Sequence, residues 1–589
     1  MKFLDLRSFI EYLEANNELV RIRAEVDPNQ EITVIQHRVL SENGPGLLFE
    51  NVKGSKYRAV TNLFGTKKRV DMVFGGCPED MGNQIAGLIE KITSPSLRGL
   101  WQERKVFLKI AQARMRNVKT GPVTKRIESP PDLNKIPVLT CWPKDGGAFF
   151  TLPLVHTVDP VNQKGNLGIY RLQRFDASST GMHWQIEKGG GFHFHNAVKL
   201  KKPLDVSVIL GGPPSLMIAA VAPLPEGIDE RALAAYMMGK PLDVVMREQT
   251  GHRIPANAEF VLEGTVAHND VKKEGPFGDH FGHYSNAANY PVFRVARVLS
   301  RKDAIYPATV VGKPVQEDFY IGMALQEMTR PILKIIRPGI VDIWAYPETG
   351  FHPLAVMSVN ERYPREALKH ALGMLGEGQV SLTKVMIVVD SNIDVQNFDA
   401  VSEALWRNLR TEEGIHLLSP TAQDTLDFTG PAMNTGSRLI LIATACERKP
   451  FRENRPASPP NRIESCPDIK KMKSWGPCFL IVQLEEGADF EKIREILAQN
   501  PVTKKYLFHV MVSPDVLIHD KKLMLWGWFT RFDPLNDLYP AKRVVKGNRL
   551  IFDFPIAIDA RWKKGYPDPL EFDPDVKKHV DEQWSRYKL

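Results

Sequence analysis

The sequence predicts a multidomain α/β chain with a β-rich centre. Three observations carry this reading. The chain has 589 residues, and at roughly 150 residues per domain that length implies three or four domains. Helical and strand-like apolar patterns alternate at both ends, while the centre is built of short apolar runs broken by Pro, Gly and Asn. The last part of the chain also repeats, in order, features of the part before it.

The first 120 residues read as an N-terminal α/β domain. Leu6, Phe9, Ile10 and Leu13 share one helical face over 5–15. Asp5 serves as N-cap, and Ser8 departs from the Glu or Gln of an ideal capping box. A strand follows at Glu18–Ile22, a helix at Ile32–Leu40 and a strand at Leu47–Phe49. Residues 121–330 carry strand-length runs at Leu152–Val158, Leu204–Leu210, Ala258–Val266, Pro291–Leu299 and Ile305–Val311, which suit a barrel, with one helix near Asp229–Met238. From 331 to 448 strands (Leu354–Val359, Lys384–Val389) again alternate with helix (Pro364–Leu375). Lys449–Pro467 reads as a linker. The extension 468–589 reads as a degenerate second copy of 331–448. TKVMIVVDSNIDV at 383–395 matches KKYLFHVMVSPDV at 504–516, so that Lys384, Asp394 and Asp399 recur 121 positions later as Lys505, Asp515 and Asp520. GSRLI at 436–440 recurs as GNRLI at 547–551.

Composition narrows the function. With 43% hydrophobic and 25% charged residues the chain is ordinary globular protein. The net charge of +8 is spread along the chain, without the basic stripe of a nucleic-acid binder. Five widely spaced cysteines with no C-x-x-C give neither a zinc site nor a disulfide framework and suit a reducing cytoplasm. The N-terminus lacks a signal-peptide run, and no stretch reaches membrane-spanning length. A cytoplasmic protein with at most peripheral membrane contact is expected.

Three segments concentrate chemistry. GNLGIYRLQRFDASSTGMHWQIEKGGGF, residues 165–192, holds Asn166, Arg171 and His183, with Lys188 beside three glycines that allow close backbone approach to a phosphate. PLPEGIDERALAAYMMG, residues 223–239, places Asp229 and Glu230 at a helix start, where capping alone would explain them. KKEGPFGDHFGHY, residues 272–284, sets Glu274 and Asp279 around an irregular Gly-Pro loop that can bring both acids to one point for proton transfer. Turn chemistry and surface histidines account for each feature taken singly.

In combination, NLGIYR, GMHWQ, PLPEGIDE and EGPFGDH resemble the UbiD family of prenylated-flavin-dependent decarboxylases, and the resemblance covers most of the chain. It implies a central split β-barrel of flavin-reductase type and prenylated FMN as cofactor. Asn166, His183 and Glu230 fall at its divalent-metal positions, a donor set that suits Mn²⁺ or Mg²⁺. Ile169, Tyr170, Arg171, His183, Trp184, Gln185, Lys188 and Gly189 fall at cofactor contacts, and Lys384 is expected to reach the cofactor from the next domain. Ala219, Ala220 and Ala222 match a potassium site. Arg171, Glu274 and Asp279 match the catalytic network, with Asp279 as the acid where some members have Glu. The cofactor supplies the electron sink that decarboxylation needs and side chains lack.

The length and the HWQIxKGGGF segment resemble the menaquinone-type members, which act on a dihydroxynaphthoate. A polyprenyl-hydroxybenzoate is the alternative substrate, and a subunit of an aromatic carboxylase or a plain flavin reductase is the alternative role. Expected partners are an aromatic acid, a flavin prenyltransferase that supplies the cofactor, and further copies of the chain in a homodimer or homohexamer.

Overall fold

The computed structural model describes residues 3–93, 110–185, 187–224, 227–445 and 451–589. Ile186, Pro225, Glu226, Cys446, the start of the candidate linker and 94–109 of the N-terminal domain lie outside the described residues. The chain forms two compact units, residues 1–328 with 568–589, and residues 329–567.

In the first unit, helix Leu6–Ala15 buries the four apolar residues its periodicity marks. Ser8 closes the capping box after all: its hydroxyl accepts from Asp5 N at 3.3 Å while Asp5 Oδ1 accepts from Ser8 N at 2.9 Å. The same hydroxyl donates to Asp5 O at 2.9 Å. Strands Leu19–Val26, Gly46–Val52, Arg58–Thr61 and Ile305–Pro307 form a four-stranded sheet in that order.

The core of this unit is a seven-stranded antiparallel sheet in the order Ser179–Gly181, Ala288–Ser300, Phe260–Glu274, Leu204–Leu210, Leu154–Val158, Gly165–Ile169, with Arg126–Glu128 also pairing Ala288–Ser300. Its two end strands do not pair with each other, so the barrel expected from the central runs is an open sheet. Two register shifts bend the Phe260–Glu274 and Ala288–Ser300 pair. At the first, Gly264 leaves no room for a side chain, since a Cβ there would meet Arg294 O at 1.9 Å. Alternation with period two sends Leu154, Ile209 and Val261 to one buried face and Val155, Val208, Leu210, Phe260 and Leu262 to the other. The central segment also holds helices beyond the single one expected, among them Gly189–Lys199, which opens on the three glycines.

The second unit holds two five-stranded sheets. One runs Ile340–Ala345, Leu354–Val359, Val385–Asp390, Thr435–Ala443, Ile415–Ala422; the other runs Ile469–Trp475, Phe479–Leu484, Phe508–Val512, Arg549–Ala560, Leu538–Lys546. Their pairings follow one sequence: antiparallel, parallel, parallel, antiparallel. Helices occupy equivalent connections, Glu366–Met374 with Phe490–Gln499 and Phe398–Asn408 with Lys521–Phe529. Residues 451–467 between the sheets carry no helix or strand.

The tail departs from the expected second copy. Residues 568–589 belong to the first unit, where helix Pro574–Tyr587 lies against Glu31–Ser41. Tyr587 donates its hydroxyl to Glu31 at 2.6 Å, Arg38 pairs with Asp581 at 2.8 Å, and the Arg38 guanidinium stacks 3.8 Å from the Trp584 ring.

Candidate active site

The site is assembled around Arg171. This residue follows strand Gly165–Ile169 and is buried. Its Nε donates to Glu274 Oε1 at 3.1 Å, its Nη1 to Asp279, and its Nη2 to Ser285 Oγ at 2.9 Å. The ring of Phe277 lies 5.0 Å from the guanidinium. The Gly-Pro loop thus brings both acids to one cation, as its irregular sequence suggests.

Backbone contacts hold that loop in place. Gln173 lies two residues beyond Arg171 and accepts from Gly275 N at 2.8 Å. Asp145 Oδ1 accepts from Gly278 N at 2.8 Å, while its other oxygen accepts from Cys141 N and Trp142 N. Gly146 N donates to Pro276 O at 2.8 Å. Gly278 packs so tightly that a Cβ would meet Trp142 at 2.2 Å.

The electrostatics sort these groups. Burial pushes the Glu274 carboxyl up, but the Arg171 charge and the His183 hydrogen bond outweigh it and hold it below the usual carboxylate range. Burial likewise raises Asp279, and the hydrogen bonds from His280, with the Arg171 charge, hold it well below that range. Both are therefore carboxylates in this state, Asp279 included, which the sequence marks as the acid. His280 donates its backbone N to Asp279 Oδ1 at 2.8 Å and sets its ring Nδ1 3.0 Å from the same oxygen.

His183 joins the same network. Its Nδ1 lies 3.0 Å from Glu274 Oε1, and its Nε2 is buried with no hydrogen-bond partner. Burial and the Arg171 charge push its pKa down, so the ring is neutral. Asn166 lies on strand Gly165–Ile169, and Glu230 touches the same strand one residue on, at Leu167. Glu230 begins helix Glu230–Met238 behind the N-cap Asp229 and accepts from Leu167 N at 2.8 Å; burial raises its pKa to about 7. Asn166 Nδ2 is buried without a partner, and its amide orientation is exchangeable. One neutral imidazole nitrogen, one amide and one carboxylate thus have open donor positions, which fits a hard divalent cation.

The triple glycine is the start of a helix. Lys188 is the N-cap of Gly189–Lys199. A Cβ at Gly189 would meet Asn166 Oδ1 at 2.0 Å, and one at Gly190 would meet Trp184 at 2.6 Å. Gly190 N donates to Tyr170 Oη at 3.0 Å, and the Tyr170 and Trp184 rings lie edge to face at 5.1 Å. The side chain of Ile169 packs against the core, and Gln185 O approaches Gly191. A helix N-terminus stripped of side chains suits a phosphate.

Other positions fall elsewhere. Ala219, Ala220 and Ala222 are buried at the end of helix Pro214–Ala219, and the carbonyls of Ala219 and Ala222 accept from Ala222 N and Leu224 N. Lys384 lies in the second unit, with its ammonium 2.9 Å from Asp427 and its side chain 1% exposed. Sequence reasoning did not mark Asp145, Gln173, His280, Ser285 or Tyr290, whose ring lies 4.3 Å from that of His183. Gln173 carried a signal: two residues from Arg171 in an extended segment, it faces the same side.

Comparison with known proteins decides the family. Residues 10–89, 115–314 and 319–443 match, in order, the N-terminal, Rift-related and C-terminal domains of 3-octaprenyl-4-hydroxybenzoate carboxy-lyase. The chain belongs to the UbiD family. It is therefore a carboxy-lyase of the UbiD type. A Chlamydia pneumoniae protein, named as one of the subunits of a 4-hydroxybenzoate decarboxylase, is 39% identical over 99% of this chain and 98% of its own. A protein of Archaeoglobus fulgidus is 37% identical over 75% of this chain and 92% of its own. The fold is similar to the vanillic acid decarboxylase of Sedimentibacter hydroxybenzoicus (TM-score 0.68, 24% identity, 79% of this chain and 98% of that one). It is also similar to the UbiD-class enzyme HmfF of Pelotomaculum thermopropionicum in complex with FMN (TM-score 0.63, 24% identity, 78% and 98%). The UbiD matches end at residue 443. Among the described residues no helix is long and apolar enough to cross a membrane.

Proposed function

We propose that this UbiD-family chain removes carbon dioxide, without net oxidation, from an aromatic or α,β-unsaturated acid, using prenylated FMN and a divalent metal. The buried Arg171–Glu274–Asp279 network, continuous with His183, is the observation that carries this reading. Asn166, His183 and Glu230 would hold Mn²⁺ or Mg²⁺. Lys188, Gly189 and the helix behind them would take the flavin phosphate, with Ile169, Tyr170, Trp184 and Gln185 along the cofactor. Bound prenylated FMN supplies the electron sink for the pair released when the carbon–carbon bond to the carboxylate breaks.

The protein's own part is orientation and proton transfer. Arg171 keeps Glu274 ionised and directs the substrate carboxylate. Asp279 returns a proton to the substrate carbon after carbon dioxide leaves. Since Asp279 rests as a carboxylate, it must first be loaded, and the His280 ring is the neighbour placed to exchange that proton. Glu274 fixes the His183 ring through Nδ1, which leaves Nε2 for metal.

On substrate, the length and the HWQIxKGGGF segment favour a dihydroxynaphthoate of menaquinone synthesis. The name of the Chlamydia pneumoniae relative favours a second reading, a para-hydroxylated benzoate handled by one member of a multi-protein complex. We also read the open central sheet as a split barrel. The shared strand order and pairing of its two C-terminal sheets support reading the extension as a degenerate duplicate of 331–448. The test is carbon dioxide release by holoenzyme co-expressed with a flavin prenyltransferase, across 1,4-dihydroxy-2-naphthoate, 4-hydroxybenzoate, 3,4-dihydroxybenzoate and vanillate. Turnover of the naphthoate supports the first reading and of a benzoate the second. No release from any of them counts against both.

A further inference from the structure

The C-terminal tail packs against the loop that carries Asp279. After the second unit the chain returns to the first at Asp568. There Tyr284 N donates to Asp568 O at 3.1 Å, and Leu570 N donates to Gly282 O at 3.0 Å. His283 and Pro569 lie between them as an antiparallel bridge. The tail thus bridges onto residues 282–284 through one antiparallel β-bridge flanked by two backbone hydrogen bonds, a few positions beyond Asp279.

Side chains lock the same contact. Leu570 is 2% exposed and fills the space left by two glycines: a Cβ on Gly278 would meet Leu570 Cδ2 at 2.8 Å, and one on Gly312 would meet its Cδ1 at 3.7 Å. Two residues on, Phe572 stacks on Trp142 at 5.0 Å, and Trp142 is the ring that walls Gly278 from the other side. Lys144 pairs with Asp568 at 2.5 Å. Gly278, next to Asp279, is therefore held between Trp142 and Leu570, with its N–H on Asp145. All of these tail residues lie beyond the three UbiD matches, the last of which ends at 443.

We infer that residues 568–572 are positioning residues for Asp279, and that the C-terminal extension serves the reaction by delivering this strap to the catalytic loop. The strap touches no reacting atom. It fixes the backbone on both sides of Asp279, whose carboxyl must meet the substrate carbon. A displacement of about 1 Å at such a group can cost on the order of 100-fold in rate. The inference rests on the proposed role of Asp279, so its test separates the two.

The experiment uses full-length holoenzyme carrying Leu570→Ala, with Leu570→Met as the conservative rescue. Val580→Ala is the stability control: Val580 is fully buried on helix Pro574–Tyr587, ten residues beyond Leu570, so this change destabilises the tail helix without altering a strap side chain. Amide hydrogen exchange over 278–284 and steady-state kinetics with the panel acid turned over fastest are measured in all three, beside Asp279→Asn. The strap requires Leu570→Ala to speed exchange of that loop roughly tenfold or more and to lower kcat by roughly 10- to 100-fold, with KM and the flavin spectrum unchanged. Leu570→Met should restore both, and Val580→Ala should lower the Tm yet leave kcat in place. Unaltered loop exchange in Leu570→Ala overturns the inference, as does a loss of kcat that Val580→Ala reproduces. Full turnover by Asp279→Asn would instead overturn the role given to that acid. The exchange measurement needs no substrate, so it decides the positioning claim whichever acid is turned over.

Discussion

His183 Nδ1 lies 3.0 Å from Glu274 Oε1, and this contact links a proposed metal ligand to the acid network. It fixes which ring nitrogen is engaged and leaves Nε2 buried without a partner. A neutral imidazole held in this way suits the metal-ligand role proposed for it.

Replacing His183 with Gln should therefore strip the metal. Holoenzyme carrying His183→Gln is expected to bind manganese at least ~10-fold more weakly than wild type. Metal content after dialysis, by mass spectrometry, checks this. Chelator treatment of the wild type should remove the metal and the activity together, and added Mn²⁺ should restore both.

Gly189→Ala tests the proposed phosphate site. Its Cβ would meet Asn166 Oδ1 at 2.0 Å, a clash that must move either the helix start or the amide. FMN affinity, by fluorescence titration, should fall roughly tenfold or more while the circular dichroism spectrum is retained.

Arg171 is the sole cation that Glu274 and Asp279 share by salt bridge among the described residues. Arg171→Met leaves two buried carboxylates without it. The expected loss is about 3–5 kcal/mol of stability together with all turnover. Arg171→Lys keeps the charge but not the fork, and should lose activity with a smaller loss of stability. Urea unfolding beside kinetics separates the two effects.

Acid sensitivity should come in part from His252. Burial and the nearby Arg231 charge push its pKa down to about 4, against about 6.5 in the unfolded chain. Between these values the unfolded state binds more protons, so stability rises with pH. The contribution is full above about pH 6.5 and is lost as pH falls through about 4, for at most about 3 kcal/mol. Unfolding of His252→Asn from pH 4 to 7 should show a flatter pH dependence than wild type.

Much of this was legible in the sequence where local periodicity decides structure. Helix Leu6–Ala15 and strands Leu204–Leu210 and Leu354–Val359 follow from spacing alone. Helix Gly189–Lys199 was not legible, because three glycines disfavour a helix that here rests on packing against the central sheet. The motifs named Arg171, Glu274 and Asp279. They could not name Ser285 or Tyr290, which reach the site only through the register that pairs Glu274 with Ala288 and Lys272 with Tyr290. The tail strap was hidden for the same reason: nothing local ties Leu570 to Gly282. The resting charge of Asp279 depends on His280 and Arg171 at close range, a matter of geometry rather than motif.

Deuterium incorporation tests the central claim most directly. Wild-type holoenzyme turning over a panel acid in D₂O should place one deuterium on the carbon that lost carbon dioxide. Asp279→Asn should retain the flavin spectrum, incorporate no deuterium and release no product. Full deuterated product from Asp279→Asn would contradict the role of Asp279, and with it the account of the Arg171–Glu274–Asp279 network.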